Sequence, residues 1–371
     1  MTDRLRVAAS GALFLLFCGT AAAQPAVAPS SAPFAKEIQA ARAMILHDLE
    51  EQDYPGIAIA VSVDGETVWS EGFGYADLEQ RVPLWPTSRF RIGSISKPFT
   101  AAAVARLFED GRLDVNAPVQ QYVPYFPEKR WLLTTRNLGA HLGGVRHYQG
   151  DEFLSSTSYE TVESGLAIFA ADTLLHAPGQ RFAYTSYGWN LISAVVEGAS
   201  GRQFLHVMRQ EVFRPLGMRH TVADHPDSLI YQRVRFYERG ANGDLLNAPY
   251  VDNSYKWAGG GFLSSPEDLL RFGNAHLGTD FLSEDALALL FTEQQTTAGE
   301  GVGYGFGWRV RTGDDSRRYL SHGGGSVGGT SLLIMQPDTK VILAAMINLS
   351  GADLEVAHDV LRLFVESASG N

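Results

Sequence analysis

The chain has 371 residues, of which 45% are hydrophobic and 19% are charged, a composition typical of a globular protein rather than a disordered or fibrous one. The 30 Lys and Arg residues are outnumbered by 41 Asp and Glu residues, so the formal net charge is −11. This acidic balance, without a basic cluster to pair with phosphates, argues against a nucleic-acid partner.

The first 23 residues have the three-part pattern of an export signal. Two arginines precede an apolar run over 7–17, and small residues lead up to a cleavage site after Ala23. The run is shorter than the roughly 20 residues of a membrane-spanning helix, which disfavours an uncleaved anchor. We therefore predict a periplasmic or secreted protein without stable membrane insertion. A flexible, Pro-rich leader over 24–33 would precede the folded part.

The single cysteine, Cys18, lies inside this predicted signal. A mature chain would then have no thiol, which excludes cysteine catalysis, disulfides and cysteine-ligated zinc. The histidines lack the spacing of a helical metal site with a carboxylate partner, and no phosphate loop or dinucleotide motif is present. The sequence predicts no metal and no cofactor.

The folded part opens with helical and then β-type patterns. Apolar residues recur at helical spacing over 35–52, which predicts an amphipathic helix. Two β-type runs, 57–63 and 67–70, flank Asp64 and Gly65, a dipeptide typical of tight hairpins. The sheet is therefore expected to begin antiparallel.

Helical patterns dominate the middle of the chain, and strand patterns return after it. The predicted helices are 98–110, 134–142, 162–171, 188–199, 204–213, 266–276 and 284–291. The later predicted elements are strands over 304–310, 318–321, 330–335 and 341–347 and a closing helix over 353–367.

This order of elements predicts an α+β fold. Residues 34–95 and 300–371 would form one antiparallel sheet flanked by the first and last helices, and residues 96–299 a mainly helical lobe. A cleft between the sheet and the lobe is the expected place for a functional site.

A serine and a lysine stand three residues apart where an extended segment leads into a helical pattern. Ser94 and Lys97 would share one face at the start of that helix. A serine hydroxyl is a weak nucleophile until a base takes its proton, and a desolvated lysine with a lowered pKa can be that base. The helix N-terminus also favours an oxyanion. Because Ser-x-x-Lys is common by chance, the motif needs support from elsewhere in the chain.

Two further segments supply that support. Tyr184 lies just before a helical pattern, and a phenol close to Lys97 can relay a proton to a leaving group, although a buried aromatic core residue is the alternative. His322 opens a glycine-rich run between predicted strands. Such a run lets a substrate approach the sheet edge, where the imidazole can contact developing charge or a carboxylate.

In chain order, Ser94-x-x-Lys97, Tyr184 and His322-Gly-Gly324 resemble the three motifs of the superfamily of serine β-lactamases, penicillin-binding proteins and family VIII esterases. The resemblance covers nearly the whole mature chain, and it is greatest to the branch that includes mitochondrial serine β-lactamase-like proteins and bacterial relatives. It implies a β-lactamase/transpeptidase-like fold for one serine hydrolase domain over 34–371. It also implies that serine is the nucleophile and that lysine, assisted by tyrosine, is the base.

The resemblance further implies residues on the substrate side. The backbone N–H groups of Ser94 and of the glycine strand near Ser326 would hold an oxyanion, and His322 would orient the substrate. Ser186 and Gly324 would also belong to the substrate or oxyanion site. One position departs from the family pattern, because Ser186 stands where an asparagine usually follows Tyr184 by two residues. That asparagine normally holds the acyl-amide group of a substrate, so activity on ordinary β-lactams is less well supported than acylation itself.

Ser326 also fits the Gly-x-Ser-x-Gly pattern of an α/β-hydrolase nucleophile. That motif lies between a strand and a helix, whereas the pattern after Gly328 is that of a strand, so Ser94 is favoured as the nucleophile.

The sequence thus predicts a serine hydrolase for amide or ester bonds, first of all a peptidase or amidase, with a small molecule or peptide as substrate. A carboxylesterase or a weak β-lactamase with the same site are the alternatives within this chemistry. A different alternative is a catalytically silent protein that binds peptides or cell-wall fragments or assembles into oligomers or filaments. The presence of Ser94, Lys97 and Tyr184 argues against silence, because inactive relatives commonly lose one such residue.

Overall fold

The computed structural model describes residues 32–370. The predicted signal and almost all of the predicted leader lie outside the described residues. Within the described part, no helix is both long and apolar enough to cross a membrane.

The strands and helices of the described residues are numbered in chain order. The strands are β1 (Gly56–Val63), β2 (Glu66–Asp77), β3 (Val82–Pro83), β4 (Phe90–Arg91), β5 (Val222–Ala223), β6 (Tyr237–Arg239), β7 (Leu245–Asn247), β8 (Phe262–Ser264), β9 (Arg309–Thr312), β10 (Arg318–Ser326), β11 (Gly329–Gln336) and β12 (Val341–Ile347). The helices are α1 (Ala35–Glu51), α2 (Ser96–Glu109), α3 (Thr135–Gly139), α4 (Val162–Leu166), α5 (Tyr187–Ser200), α6 (Phe204–Val207), α7 (Trp257–Gly260), α8 (Pro266–Asn274), α9 (Glu284–Phe291) and α10 (Glu355–Ala368).

The main sheet combines the two ends of the chain. Its order is β3-β2-β1-β12-β11-β10-β9, and each pair of neighbours is antiparallel. β1 and β12 join the two ends, with Ile57 opposite Ile347. Asp64 and Gly65, with φ values of +48° and +86°, form the hairpin turn between β1 and β2. The predicted α+β architecture and its opening hairpin are confirmed.

The central strands β1 and β12 are almost entirely apolar because both faces of the sheet are covered. Along β1, Ile57, Ile59 and Val61 belong to a core cluster that includes residues of α1 and α10. The alternate residues Ala58 and Ala60 belong to a second cluster, which includes α8 and the helical lobe. β12 alternates in the same way, so successive side chains of one strand stabilise two different layers.

One predicted strand, 304–310, is wrong over most of its length, since only Arg309–Thr312 forms β9. Gly303 and Gly307 have φ values of +65° and +81°, which break an extended conformation. Of the aromatic residues between them, Phe306 packs in the cluster that includes the helical lobe, and Tyr304 is buried against His141 and His322. The predicted helices 134–142 and 162–171 are also shorter, whereas β10 runs further than predicted, through the glycines to Ser326.

The glycine-rich end of β10 passes very close to the turn before α2. A Cβ on Gly324 would overlap the carbonyl oxygen of Ile92, and a Cβ on Gly93 would overlap the carbonyl oxygen of Gly325. From the adjacent strand, the Ser331 hydroxyl donates to the same Ile92 carbonyl at 2.8 Å. The absence of side chains at these glycines therefore sets how closely the sheet edge approaches α2.

We expect Gly324→Ala to lower the free energy of unfolding by about 1–3 kcal/mol, the usual cost of overpacking, because its Cβ meets backbone that cannot rotate away. Urea denaturation followed by circular dichroism measures the change. Gly323→Ala is the matched control on the same strand, since the atom nearest to its Cβ would be 3.7 Å away. Equal losses in both variants would contradict this close approach.

Candidate active site

Ser94 lies in a single 3₁₀ turn, Gly93–Ile95, between β4 and α2. Antiparallel pairing of Arg91 with Leu263 ties β4 to β8. The turn leads directly into the 14-residue helix α2, so Ser94 lies at the N-terminus of that helix, where the helix dipole favours negative charge. Its side chain is half-buried at the rim of a cavity.

Lys97 is the second residue of α2 and is fully buried. Its Nζ lies 2.9 Å from Ser94 Oγ, 3.1 Å from Ser186 Oγ and 2.7 Å from the carbonyl oxygen of Gly259. The structure thus brings together the predicted nucleophile, the predicted base and the serine that replaces the family's asparagine. Gly259, in α7, is a partner that the sequence analysis missed.

These three contacts match the bonding capacity of a neutral amine, which has two N–H donors and one lone pair. The Gly259 carbonyl can only accept, so one N–H of Lys97 donates to it. A second N–H can donate to Ser186, which leaves the lone pair to accept the proton of Ser94. Burial lowers the pKa of Lys97 well below its ordinary value, and the charge of Lys256 lowers it further. The site therefore favours the basic form of this lysine.

Tyr184 contributes a phenol that keeps its proton, whereas Lys97 is favoured in its deprotonated, basic form. Burial raises the pKa of Tyr184 to about 12, although a hydrogen bond with Ser94 and the charge of Arg309 act in the other direction. Its ring centroid lies 4.9 Å from Lys97 Nζ. The phenol is protonated at neutral pH, so it can donate a proton close to Ser94.

His141 holds the segment that carries Tyr184. The two ring centroids are 4.2 Å apart, and the backbone N–H of Thr185 donates to His141 Nδ1 at 3.1 Å. Because Nδ1 accepts, a neutral imidazole carries its proton on Nε2. Burial and the charge of Lys97 lower the pKa of His141 well below its ordinary value. His141 thus acts as a neutral support for the tyrosine.

His147 plays a similar part beside Ser186. The backbone N–H of Ser186 donates to His147 Nδ1 at 3.2 Å, and the imidazole lines the cavity. Burial first, and then the charges of Lys97 and Lys256, lower the pKa of His147 to about 4. At neutral pH this wall of the cavity is therefore uncharged.

His322 is buried, and both of its ring nitrogens are engaged. Nδ1 lies 2.6 Å from the carbonyl oxygen of Gly323, which can only accept, so Nδ1 carries the proton. Nε2 then accepts from the hydroxyl of Tyr304 at 2.9 Å. Burial, with the charge of Lys97, lowers the pKa of His322 to about 3. The predicted contact of His322 with substrate remains a prediction, and in this arrangement the imidazole supplies neither a positive charge nor a free N–H.

The glycine strand divides its residues between packing and the cavity. Gly324 packs against the backbone of Ile92 and does not line the cavity. Gly325 and Ser326 do line it, and a Cβ on Gly325 would have open space around it. Gly325, which the sequence analysis did not single out, is thus the glycine that a substrate can approach.

The cavity has a volume of about 250 Å³. Its lining residues come from the nucleophile turn, the segment between α3 and α4, the loop before α5, α7 with the residue before it, and the end of β10: Ser94, His147, Tyr148, Phe153, Ser186, Lys256, Gly259, Gly260, Gly325 and Ser326. Among residues 32–370, no group of three or more His, Cys, Asp or Glu side chains is arranged to hold a metal ion. The site is a compact pocket with the predicted nucleophile, Ser94, at its wall.

Comparison with known proteins identifies the same family that the sequence motifs resemble. Residues 40–366 match the family described as Beta-lactamase. The chain is 35% identical to the serine beta-lactamase-like protein LACTB, mitochondrial, of Homo sapiens, over 85% of this chain and 75% of the human protein. It is 28% identical to penicillin-binding protein 4* of Bacillus subtilis (strain 168), over 81% of this chain and 69% of that protein.

Solved structures share the fold. The octameric penicillin-binding protein homologue from Pyrococcus abyssi superposes with a TM-score of 0.77 at 27% identity, over 89% of this chain and 77% of that one. The D-amino acid amidase from Ochrobactrum anthropi superposes with a TM-score of 0.77 at 23% identity, over 90% and 99%.

A serine–lysine pair at a helix start, set against the edge of an antiparallel sheet, defines the class of active-serine proteins with the β-lactamase/transpeptidase fold. This chain belongs to that class, as a member of the beta-lactamase-like serine hydrolase family. The predicted fold and family are confirmed.

Acylation of Ser94 should depend on the ionisation of Lys97, whose pKa is well below that of a free lysine. Protonation of Lys97 removes its lone pair, so the rate falls as the pH is lowered through that pKa and is level above it. Rates of labelling by a fluorophosphonate between pH 5 and 10 measure this. Lys97→Met should lower the rate by at least about 100-fold. Lys340→Met, at an exposed lysine far from the site, is the control, and a flat wild-type profile would contradict the assignment.

Proposed function

We propose that this protein hydrolyses amide or peptide bonds through an acyl-enzyme on Ser94. The observation that carries the proposal is the buried Lys97 amine, which is held by the Gly259 carbonyl and lies 2.9 Å from the serine hydroxyl. A lysine in the interior without a carboxylate partner is unfavourable for stability, and a proton-accepting role beside a nucleophile accounts for it.

The reaction starts when Ser94 Oγ attacks the substrate carbonyl carbon and its proton passes to Lys97 Nζ. The carbonyl π electrons move onto oxygen, and the backbone N–H of Ser94 together with the Gly325 end of β10 would hold the resulting oxyanion. As the oxyanion re-forms the carbonyl, the C–N bond breaks. The leaving nitrogen takes a proton that comes from Lys97 through the Tyr184 phenol. Water then attacks the acyl-enzyme, with the same pair as base, and releases the acid.

The phenol favours amides over esters as substrates. An amine is expelled only with a proton on its nitrogen, whereas an activated alcohol or phenol can leave as an anion. Tyr184 is protonated at neutral pH, and its ring lies 4.9 Å from Lys97 Nζ, beside Ser94, which is where that proton is needed. A carboxylesterase remains the second candidate within this chemistry. A weak β-lactamase is the third candidate. Ser186 stands in place of the asparagine whose amide would hold a β-lactam substrate, and its hydroxyl is bonded to Lys97 instead.

A catalytically silent binding or assembly protein is the alternative from another class. Such a protein would need no base beside Ser94 and no phenol held by His141. The close contacts among Ser94, Lys97 and Tyr184 therefore support catalysis over binding alone.

The first test is intact mass spectrometry after incubation with a fluorophosphonate. We expect one adduct on the wild type and none on Ser94→Ala, because the activated hydroxyl is removed. Ser326→Ala, at the other cavity serine, should keep the adduct even if its labelling is slower. An adduct that persists in Ser94→Ala and disappears in Ser326→Ala would show that Ser326, not Ser94, is the nucleophile. The absence of an adduct on the wild type would favour the binding-protein alternative.

The preference for amides can be tested with Tyr184→Phe. For an amide and a 4-nitrophenyl ester with the same acyl group, kcat/KM for the amide should fall by about 100-fold, and that for the ester by less than about 10-fold. D-Ala-D-Ala peptides and a chromogenic cephalosporin complete the panel. Equal losses for the two substrates would count against a proton-donating role, and wild-type turnover confined to esters or to the cephalosporin would select the corresponding alternative.

A further inference from the structure

A second lysine lines the cavity, and the proposed mechanism does not use it. Lys256 directly precedes α7 and is only 2% exposed. It lines the same cavity as Ser94 and Ser186. Among the described residues, its Nζ has no hydrogen-bond partner. A buried amine without a partner is rare, because burial removes hydration that nothing replaces.

Aromatic rings surround this amine. Its Nζ lies 4.3 Å from the ring centroid of Phe153, 5.1 Å from that of Tyr255 and 5.6 Å from that of Tyr148. The faces of such rings attract a cation, but they carry no net charge to neutralise it. The surroundings therefore tolerate an ammonium group without completing its pairing.

The carboxylate whose charge raises the pKa of Lys256 is that of Asp224, and it already has other hydrogen-bond and ion-pair partners. Asp224 accepts from Arg91 Nε at 2.6 Å and from Asn253 Nδ2 at 2.9 Å, and it also lies 3.5 Å from Arg233 Nη1. Burial and then the charge of Arg91 lower the pKa of Lys256, and Asp224 acts in the opposite direction. Asp224 is thus bound by two guanidinium groups and an amide.

The other charged groups around the cavity do not supply a counter-ion either. Glu152, next to Phe153, is bound by two nitrogens of Arg146 and by the hydroxyl of Tyr187. Lys97 and His147 have the same sign as Lys256 when they are protonated. An anion that enters the cavity would therefore be the missing partner.

We propose that Lys256 is the receptor for a carboxylate of the substrate, so that this enzyme prefers acyl compounds with an anionic group close to the scissile carbonyl. The proposal rests on the proposed function of Ser94, and it names the class of substrate for the same site. His322, at the sheet edge, is neutral and has both nitrogens engaged. The amine of Lys256 is the cavity-lining cation that has no partner among the described residues.

The ionisation of Lys256 adds a consequence for pH. Burial, followed by the charge of Arg91, lowers the pKa of Lys256 to about 7. A bound carboxylate stabilises the protonated form and raises this pKa, so binding takes up a proton above pH 7. The preference for an anionic substrate should therefore be full below pH 7 and weaken as the pH rises above it.

The test uses two matched pairs of substrates. One pair has the carboxylate on the acyl side: the mono-4-nitrophenyl ester of glutaric acid and its methyl ester. The other pair has it on the leaving group: 3-acetoxybenzoate and its methyl ester. The quantity measured is the ratio of kcat/KM for the acid to that for the neutral partner. Because both members of a pair use the same base, the ionisation of Lys97 cancels in this ratio.

In at least one pair, we expect Lys256→Met to lower the ratio by at least about 10-fold, the usual value of a hydrogen bond to a charged group. The loss should be in kcat/KM for the acid, with the neutral partner still hydrolysed. The wild-type ratio should decline between pH 6 and 9, and the ratio of the variant should be level. Lys256→Gln, which is polar but uncharged, should behave like Lys256→Met.

Arg309→Gln is the matched control. The charge of Arg309 reaches Tyr184 and His322, but its side chain does not line the cavity. We expect the ratio to survive this substitution. A ratio that depends on Arg309 and not on Lys256, or one that neither substitution changes, would overturn the proposal. Melting temperatures establish that the variants are folded, and removal of a buried unpaired amine should not lower them.

Calorimetry with glutarate separates this proposal from that of the hydrolase. The Ser94→Ala protein should bind glutarate with proton uptake at pH 7.5, and the Ser94→Ala, Lys256→Met protein should show at least about 10-fold weaker binding. Lysine-dependent binding without turnover would support the receptor and reject the hydrolase. If both substrates of a pair were turned over with equal kcat/KM, and glutarate binding did not depend on Lys256, the hydrolase would be supported and the receptor rejected.

Discussion

The structure is organised around one buried amine. Lys97 Nζ has no access to water, and its partners come from three separated parts of the chain: the nucleophile turn, the loop before α5 and helix α7. An ammonium ion in this position would be poorly solvated, so the surroundings favour a neutral amine whose lone pair faces Ser94. The sheet, the glycine contacts and the helical lobe bring those three parts within hydrogen-bonding distance of one another.

The residues around this amine are kept largely uncharged. His141, His147 and His322 are each desolvated and each has a ring nitrogen bonded within the fold, so they act as neutral supports at physiological pH. Lys256 differs from them, because its amine has no partner in the described part of the chain and its pKa lies near 7. A site that contains two buried lysines is costly for stability. That cost is reasonable if one lysine must accept a proton and the other must receive an anion.

Sequence reasoning found the residues whose chemistry is visible in a short motif. Ser94 and Lys97 are separated by about one helical turn, so their closeness follows from helix geometry alone. The role of Gly259 could not be found in this way, because its backbone carbonyl has no signature in the sequence and its contact spans 162 positions. Lys256 was missed for a related reason, since a lysine in a sequence is assumed to be solvated until its burial is known. The predicted strand over 304–310 failed because Gly303 and Gly307 adopt positive φ values that break an extended conformation.

The sequence by itself determined the class of the fold, the hairpin at Asp64-Gly65 and the closeness of Ser94 to Lys97. Each of these depends on local periodicity or on neighbours within a few residues, which one-dimensional patterns record. The tertiary structure alone decided that Gly325 rather than Gly324 faces the cavity, that His322 is neutral, and that Lys256 is buried without a hydrogen-bond partner among residues 32–370. Those properties depend on desolvation and on partners far along the chain, which exist only after the sheet and the helical lobe have come together.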